Sequence, residues 1–227
     1  MEDFHKKRNI RLINNIIAHE VGHLIANLLL NKIQEEPKAQ EITLIWSEQF
    51  QRPGGQIDYS IKEGSKHWKF PTDLNLCYYT ILSLYSGCIW EKFFDSIYHQ
   101  KNLDIVEIET CYTTSGSIDV REISLINNTH LHQVLTKEFT REHIVKPYVE
   151  LLQNLSTEVK QKLYNQLYIL ASEVESHFCN TKEELKLTIK DSDFEDLKSF
   201  IMDEFLIYFE KELNEIISSI RKFTKLE

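Results

Sequence analysis

The sequence predicts an α+β fold that is predominantly helical, and three observations carry that prediction. Glycine and proline are scarce, at 6 and 4 in 227 residues, which disfavours a sandwich or barrel of many short strands joined by tight turns. Apolar residues recur at spacings of three and four along most of the chain, the period of a helix with one buried face. One segment breaks that period: two short runs on either side of a Pro-Gly-Gly read as a small sheet.

Ile10, Ile13, Ile16, Ile17, Val21, Leu24, Ile25 and Leu28 define a first amphipathic helix over residues 9–32, closed off by Pro37 and its polar neighbours. Ile42 to Trp46 suits a pleated surface and Gln56 to Ile61 alternates as a second strand, with Arg52-Pro53-Gly54-Gly55 as the turn between them. Pro71-Thr72-Asp73 precedes the most apolar stretch. Thr72 or Asp73 can cap a helix reaching to about His99, since either side chain accepts from a free backbone N–H. A polar loop is expected next, passing through Val106 and Ile108 to the small-residue cluster Thr113-Thr114-Ser115-Gly116-Ser117. Helical spacing returns from Ile118 through Val120, Ile123, Leu125, Ile126, Leu131, Val134 and Leu135. Beyond Pro147 the chain reads as helical, including Val159 to Phe178 and Phe194 to Phe223, with acidic outer faces. The expected organisation is one domain over 1–145 and a helical region over 146–227 packed on it. Those acidic helices can also serve a homo-oligomer.

The formal net charge is −9, and only the start of the chain is basic, at Lys6, Lys7, Arg8 and Arg11. A surface of that sign repels a phosphate backbone, so no nucleic-acid partner is expected. Cys77, Cys88, Cys111 and Cys179 are widely spaced and include no C-x-x-C pair. They read as reduced thiols of a cytoplasmic protein rather than a disulfide framework or a thiolate zinc site. No secretory signal is evident. Leu74 to Trp90 is interrupted by Asn75, Thr80, Ser83 and Ser86, and reads as a buried core helix rather than a membrane span.

His19-Glu20-Val21-Gly22-His23 is an H-E-x-x-H motif inside the first helix. Residues four apart on a helix lie one above the other, so both imidazoles can reach a single ion. Neutral imidazole suits zinc, and Glu20 follows the first ligand, where it can act as general base toward a water that the metal acidifies. Burying two histidines and a glutamate among Ile16, Ile17, Leu24 and Ile25 is costly without a shared purpose. A catalytic zinc also needs a third protein ligand. His67 is the next histidine, too far along for the short spacings that would supply one, so the third ligand must come from elsewhere.

From here the sequence resembles the peptidase domain of the FtsH-type AAA metalloproteases. That family has a His-Glu-Ala-Gly-His motif, followed by a strand, a Pro/Gly-containing turn and a second strand, similar to Ile42–Trp46 and Pro53–Ile57. It then has a helix with Gly-Arg-Ala-Ala-Glu, to which Gly87-Cys88-Ile89-Trp90-Glu91 corresponds in spacing. Last comes Thr-Gly-Ala-x-Asn-Asp, matched at both ends by Thr114-Ser115-Gly116-Ser117-Ile118-Asp119. The order of all four elements agrees over residues 10–140. The departures are Ile118 for Asn, Cys88 for Arg and Trp90 for Ala. The resemblance implies a zincin-like, free-standing peptidase domain without its ATPase module, with Asp119 as the third zinc ligand.

Read from the residues, Asp119 follows a small-residue loop at the start of a helix whose dipole favours negative charge, where an ordinary helix cap is the plain alternative. Glu91 competes as third ligand; if Asp119 binds the metal, Glu91 orients a ligating histidine instead. His130 and His132 can stabilise an oxyanion or can simply be surface or core histidines, and His67 beside Trp68 has no assignment. The strand from Gly55 to Tyr59 offers an edge to an extended peptide unless a loop covers it. The expected activity is hydrolysis of unstructured peptides or flexible protein segments, with a separate ATPase as a possible partner. Two alternatives stay open: a regulatory protease of the ImmA/IrrE type that cleaves one partner with Glu91 as ligand, and a degenerate peptidase fold acting as a protein-binding module.

Overall fold

The structure, a computed structural model, describes residues 2–33, 37–47, 52–60, 74–131, 133–180 and 186–224. His67, Trp68, the Thr72 or Asp73 cap and His132 lie outside the described residues.

Two long helices, α1 (Glu2–Asn31) and α2 (Leu74–Tyr98), carry the site. They run antiparallel: Arg11 pairs with Asp95, His19 with Glu91, and His23 with the Ser83 carbonyl. Ile17, Leu24 and Ile25 from α1 and Ile81, Leu82, Ile89 and Phe94 from α2 are almost wholly excluded from water. At Gly22 the helices approach so closely that a Cβ would stand 2.6 Å from the Ser86 carbonyl oxygen, which explains a poor helix former in the middle of α1. The apolar stretch of α2 is spent on this packing. No helix among the described residues is long and apolar enough to cross a membrane.

β1 (Lys38–Ser47) and β2 (Arg52–Ser60) form the expected antiparallel pair. Arg52 to Gly55 belong to β2, not to a turn, and Pro53 stands opposite Trp46. The strand tolerates Pro and Gly because it lies at the sheet edge, where a missing N–H breaks no ladder on the outer side. A third strand, β3 (Lys186–Ile189), pairs antiparallel with the other side of β1, so the order is β2-β1-β3. No strand is legible there in the sequence, because four residues are too few to show an alternating period. β1 thereby becomes the central strand, with Ile42, Thr43 and Leu44 fully buried.

The stretch expected as a polar loop contains α3 (Ile105–Tyr112). Asp104 Oδ1 accepts the Val106 N–H at 2.8 Å, and Ile108, Cys111 and Tyr112 bury one face. Two turns of helix carry too little periodicity to stand out in the sequence. After the Thr113–Gly116 turn comes α4 (Ser117–Thr129). Then α5 (Lys137–Thr140), a wider π-helical turn (Arg141–Val145) and α6 (Lys146–Gln153) form one uninterrupted helical run through residues 145 and 146. Pro147 has no N–H to give, and the backbone widens just before it. α7 (Thr157–Asn180) packs on α1, and α8 (Asp191–Ile201), a second π turn (Met202–Leu206) and α9 (Ile207–Phe223) are the last of the described elements.

Trp90 ties the early and late helices together. Its ring packs on Phe93, Phe94 and Phe205, and its indole N–H donates to the Tyr148 hydroxyl at 2.8 Å. The buried apolar residues form one cluster running from α1 to α9.

Candidate metal centre

His19 and His23, one turn apart on α1, present their rings to each other at 4.8 Å between centroids. Each ring has one nitrogen held from behind. His23 Nδ1 lies 2.8 Å from the Ser83 carbonyl oxygen, which can only accept, so Nδ1 carries the proton and Nε2 is the free nitrogen. His19 Nδ1 lies 3.3 Å from Glu91 Oε2. Both Nε2 atoms then face Asp119, whose Oδ2 is 3.0 Å from that of His19 and 3.7 Å from that of His23. One ligand atom from each of the three residues falls within 4.8 Å of the others.

The two carboxylates divide their work. Asp119 sits in the first turn of α4, but the cap position belongs to Gly116, and the Asp119 side chain turns to the histidines instead. Glu91 is already engaged on both oxygens: Lys92 Nζ donates to Oε1 at 2.7 Å, and Ser115 Oγ donates to Oε2 at 3.0 Å beside the His19 contact. It stands on the far side of the His19 ring from Asp119. A carboxylate behind a metal-binding imidazole fixes its tautomer and raises its basicity.

Electrostatics follow from this enclosure. Burial alone would lower the His19 imidazolium, but hydrogen bonds to Asp119 and Glu91 and the negative charges of Glu20 and Asp119 together outweigh it and raise the group to about 10. His23, buried and with only a backbone acceptor behind it, is lowered to about 4. Burial would raise Glu91, yet His19 and Lys92 bring it down to about 2. Glu20 is 3% exposed and pushed up to about 7, chiefly by burial.

Glu20 and the three converging residues line one cavity of about 630 Å³, whose other walls include Leu12, Ile16, Ser83 and Ile118. Gly54, Gly55, Gln56, Ile57 and Tyr59 of β2 form its rim. Gly55 leaves room for Glu20: a Cβ there would stand 2.6 Å from its Oε1. A cavity of about 640 Å³ bounded by α6 and α9 holds none of the candidate ligands, so chemistry and not size locates the site.

The structure thus gathers His19, Glu20, His23, Asp119 and Glu91. His130 ends α4 and does not line the cavity. Sequence reasoning missed Ser83, Ser115 and Tyr59. Tyr59 is half-buried, and desolvation of its phenol together with the nearby Glu20 carboxylate holds it well above the ordinary range, against the lowering effect of its hydrogen bond to Ser83. It also missed Gly87, over which both rings lie. Glycine itself was the available signal: of six in the chain, Gly22, Gly55, Gly87 and Gly116 each stand against a site residue or its immediate support.

The four cysteines are not all reduced thiols. Cys88 and Cys111 are paired as a disulfide, their Cα atoms 5.8 Å apart, while Cys77 is a buried thiol. A separation of 23 residues has no signature of its own, because only the corner between α2 and α3 brings the two together. No family model, no curated protein and no solved structure matches this chain.

Proposed function

We propose that this chain is a zinc-dependent peptidase of zincin-like build, in which His19, His23 and Asp119 hold the metal and Glu20 is the general base. One observation carries the reading: both Nε2 atoms converge on Asp119 Oδ2 while the opposite ring nitrogens are anchored by Ser83 and Glu91. Two imidazoles and a carboxylate beside an open cavity are the donor set of a catalytic zinc site. Zinc bound there supplies a Lewis acid for a peptide carbonyl and brings the ionisation of water toward neutral pH. Glu20, with its proton affinity near pH 7, takes a proton from the attacking water and hands it to the leaving amine.

β2 supports a peptide substrate. It is an edge strand and its residues rim the cavity, so an extended chain can pair with it and lay a carbonyl beside Glu20. That favours unstructured peptides or flexible segments, and an ATPase partner would supply unfolding, in keeping with the resemblance to FtsH-type peptidase domains. The engagement of both Glu91 oxygens favours Asp119 over Glu91 as ligand, and so disfavours the ImmA/IrrE-type alternative.

The test compares zinc-loaded wild-type protein with Glu20→Gln on a disordered protein such as casein, with zinc measured by elemental analysis. The variant is expected to keep its zinc and lose about 10²–10⁴-fold in turnover. A zinc-loaded wild type that cleaves no faster than Glu20→Gln overturns the enzyme and leaves a metal-stabilised binding module.

A further inference from the structure

We propose that the Cys88–Cys111 pair is a redox latch on the candidate metal centre, holding the ion when oxidised and loosening it when a dithiol reduces it. The inference rests on the metal reading above and extends it to regulation.

The two sulfurs join the two walls of the site. Cys88 follows Gly87, over which both imidazoles lie, and precedes Glu91, which anchors His19, by three residues on α2. Cys111 lies in the last turn of α3, and its carbonyl accepts the N–H groups of Thr114 and Gly116, so it shapes the turn that delivers Asp119. Around the pair the contacts are close. Cys111 Sγ is 3.1 Å from Ser115 Oγ and 3.4 Å from Glu91 Oε2, and Gly116 packs so tightly on Cys88 Sγ that no side chain fits there.

Among the described residues, α3 and α4 pack on α2 on either side of the turn, but the turn itself is thinly held. Thr113, Thr114, Ser115, Ser117 and Ile118 are exposed, and among residues 113–118 only Gly116 is buried. The other ties are hydrogen bonds, from Ser115 to Glu91, from Tyr112 to the Tyr85 carbonyl and between His19 Nε2 and the accepting Asp119 carboxylate, and the edge-on contact of the Tyr112 ring with Tyr85. A segment with few buried apolar contacts opens at low cost. Its covalent link to α2 therefore decides how well Asp119 is pre-positioned as a ligand, and pre-positioning is what gives a chelating site its affinity.

The chemistry closes with a peroxide as oxidant. One cysteine thiolate attacks a peroxide oxygen, giving a sulfenic acid and water, and the second thiol displaces a second water to form the S–S bond. Two electrons pass from sulfur to peroxide, and the two thiol protons leave in the waters. In reverse, a small dithiol returns two electrons and two protons and departs as its cyclic disulfide. Both sulfurs are buried, so exchange waits on opening of the 113–118 turn and is slow.

The experiment uses the full chain, zinc-loaded, in two states: treated with hydrogen peroxide, or with dithiothreitol that is then removed under anaerobic conditions. Zinc transfer to a chromogenic chelator is measured in parallel with alkylation of the denatured protein, which contains four cysteines. The proposal expects four labels on the reduced form and two on the oxidised, at Cys77 and Cys179. It also expects the oxidised form to hold zinc at least tenfold more tightly. Cys88→Ala/Cys111→Ala should behave as the reduced form under both treatments; if it does not fold, the wild-type comparison decides alone. Equal labelling in the two states, equal zinc retention, or tighter retention after reduction each overturns the latch. Absence of zinc uptake in both states, with labelling still changing from four to two, overturns the metal reading and the latch with it.

Discussion

Gly87 of α2 lies directly against the imidazole of His19: a Cβ built on it would stand 2.7 Å from Nε2, and 2.8 Å from the Nε2 of His23. Gly87→Ala therefore pushes on the two atoms that must meet an ion. The expected result is a destabilisation of about 1–3 kcal/mol from overpacking, with zinc affinity reduced about 10–100-fold or more. Chelator competition together with a helical circular dichroism spectrum like that of the wild type checks it. Undiminished affinity means the rings do not bind metal in this arrangement.

The two carboxylates separate by magnitude. Asp119→Ala removes a ligand, whereas Glu91→Gln leaves the ligands in place and weakens only the support of His19, a change worth about 10–100-fold in affinity. Asp119→Ala is expected to cost more than Glu91→Gln in the same zinc titration. The opposite order assigns the metal to Glu91.

Metal uptake is expected to release a proton. In chelator-treated protein His19 is raised to about 10 and is charged at pH 7, while His23 at about 4 is already neutral. Zinc requires both neutral, so binding at pH 7 displaces at least the His19 proton, with a further fraction from Glu20, measurable by calorimetry in buffers of different ionisation enthalpy. The same shift sets a stability trend. A pKa raised in the folded state contributes stability in full below the unfolded value of about 6.5, and that contribution fades as pH climbs through about 10. Below pH 7 the shifts of Glu20 (raised) and His23 (lowered) oppose each other. Between pH 7 and 10 chelated protein should lose stability, by at most about 1.4 kcal/mol per pH unit, and zinc-loaded protein should not. Thermal unfolding across that range distinguishes them.

Away from the site, Tyr148→Phe leaves the Trp90 indole N–H without its buried acceptor. An orphaned buried donor costs about 1–3 kcal/mol, which lowers the melting temperature by roughly 2–4 °C per kcal/mol in a chain of this size. A melting curve indistinguishable from wild type shows that the indole finds another acceptor.

The long elements were legible because they repeat. α1, α2, α7 and α9 each offer several turns of three-four spacing, and their apolar faces are the buried core. α3 and β3, with eight and four residues, lie below the length at which a period can be recognised. Pro53 and Gly54 read as a turn because local propensity disfavours them in a strand, and only their place on the edge strand β2 makes them acceptable there.

What the sequence alone determined is the grouping of His19, Glu20 and His23, since helical geometry sets i to i+4 spacing within one turn of backbone. What the tertiary structure decided is which acidic group meets those rings and which one stands behind them. Asp119 and Glu91 lie 100 and 72 residues from His19, and either could have reached it on paper. The close crossing of α1 and α2 at Gly22 and the corner leading into α4 set their sides, because packing of whole elements, not spacing along the chain, aims side chains that far apart in sequence.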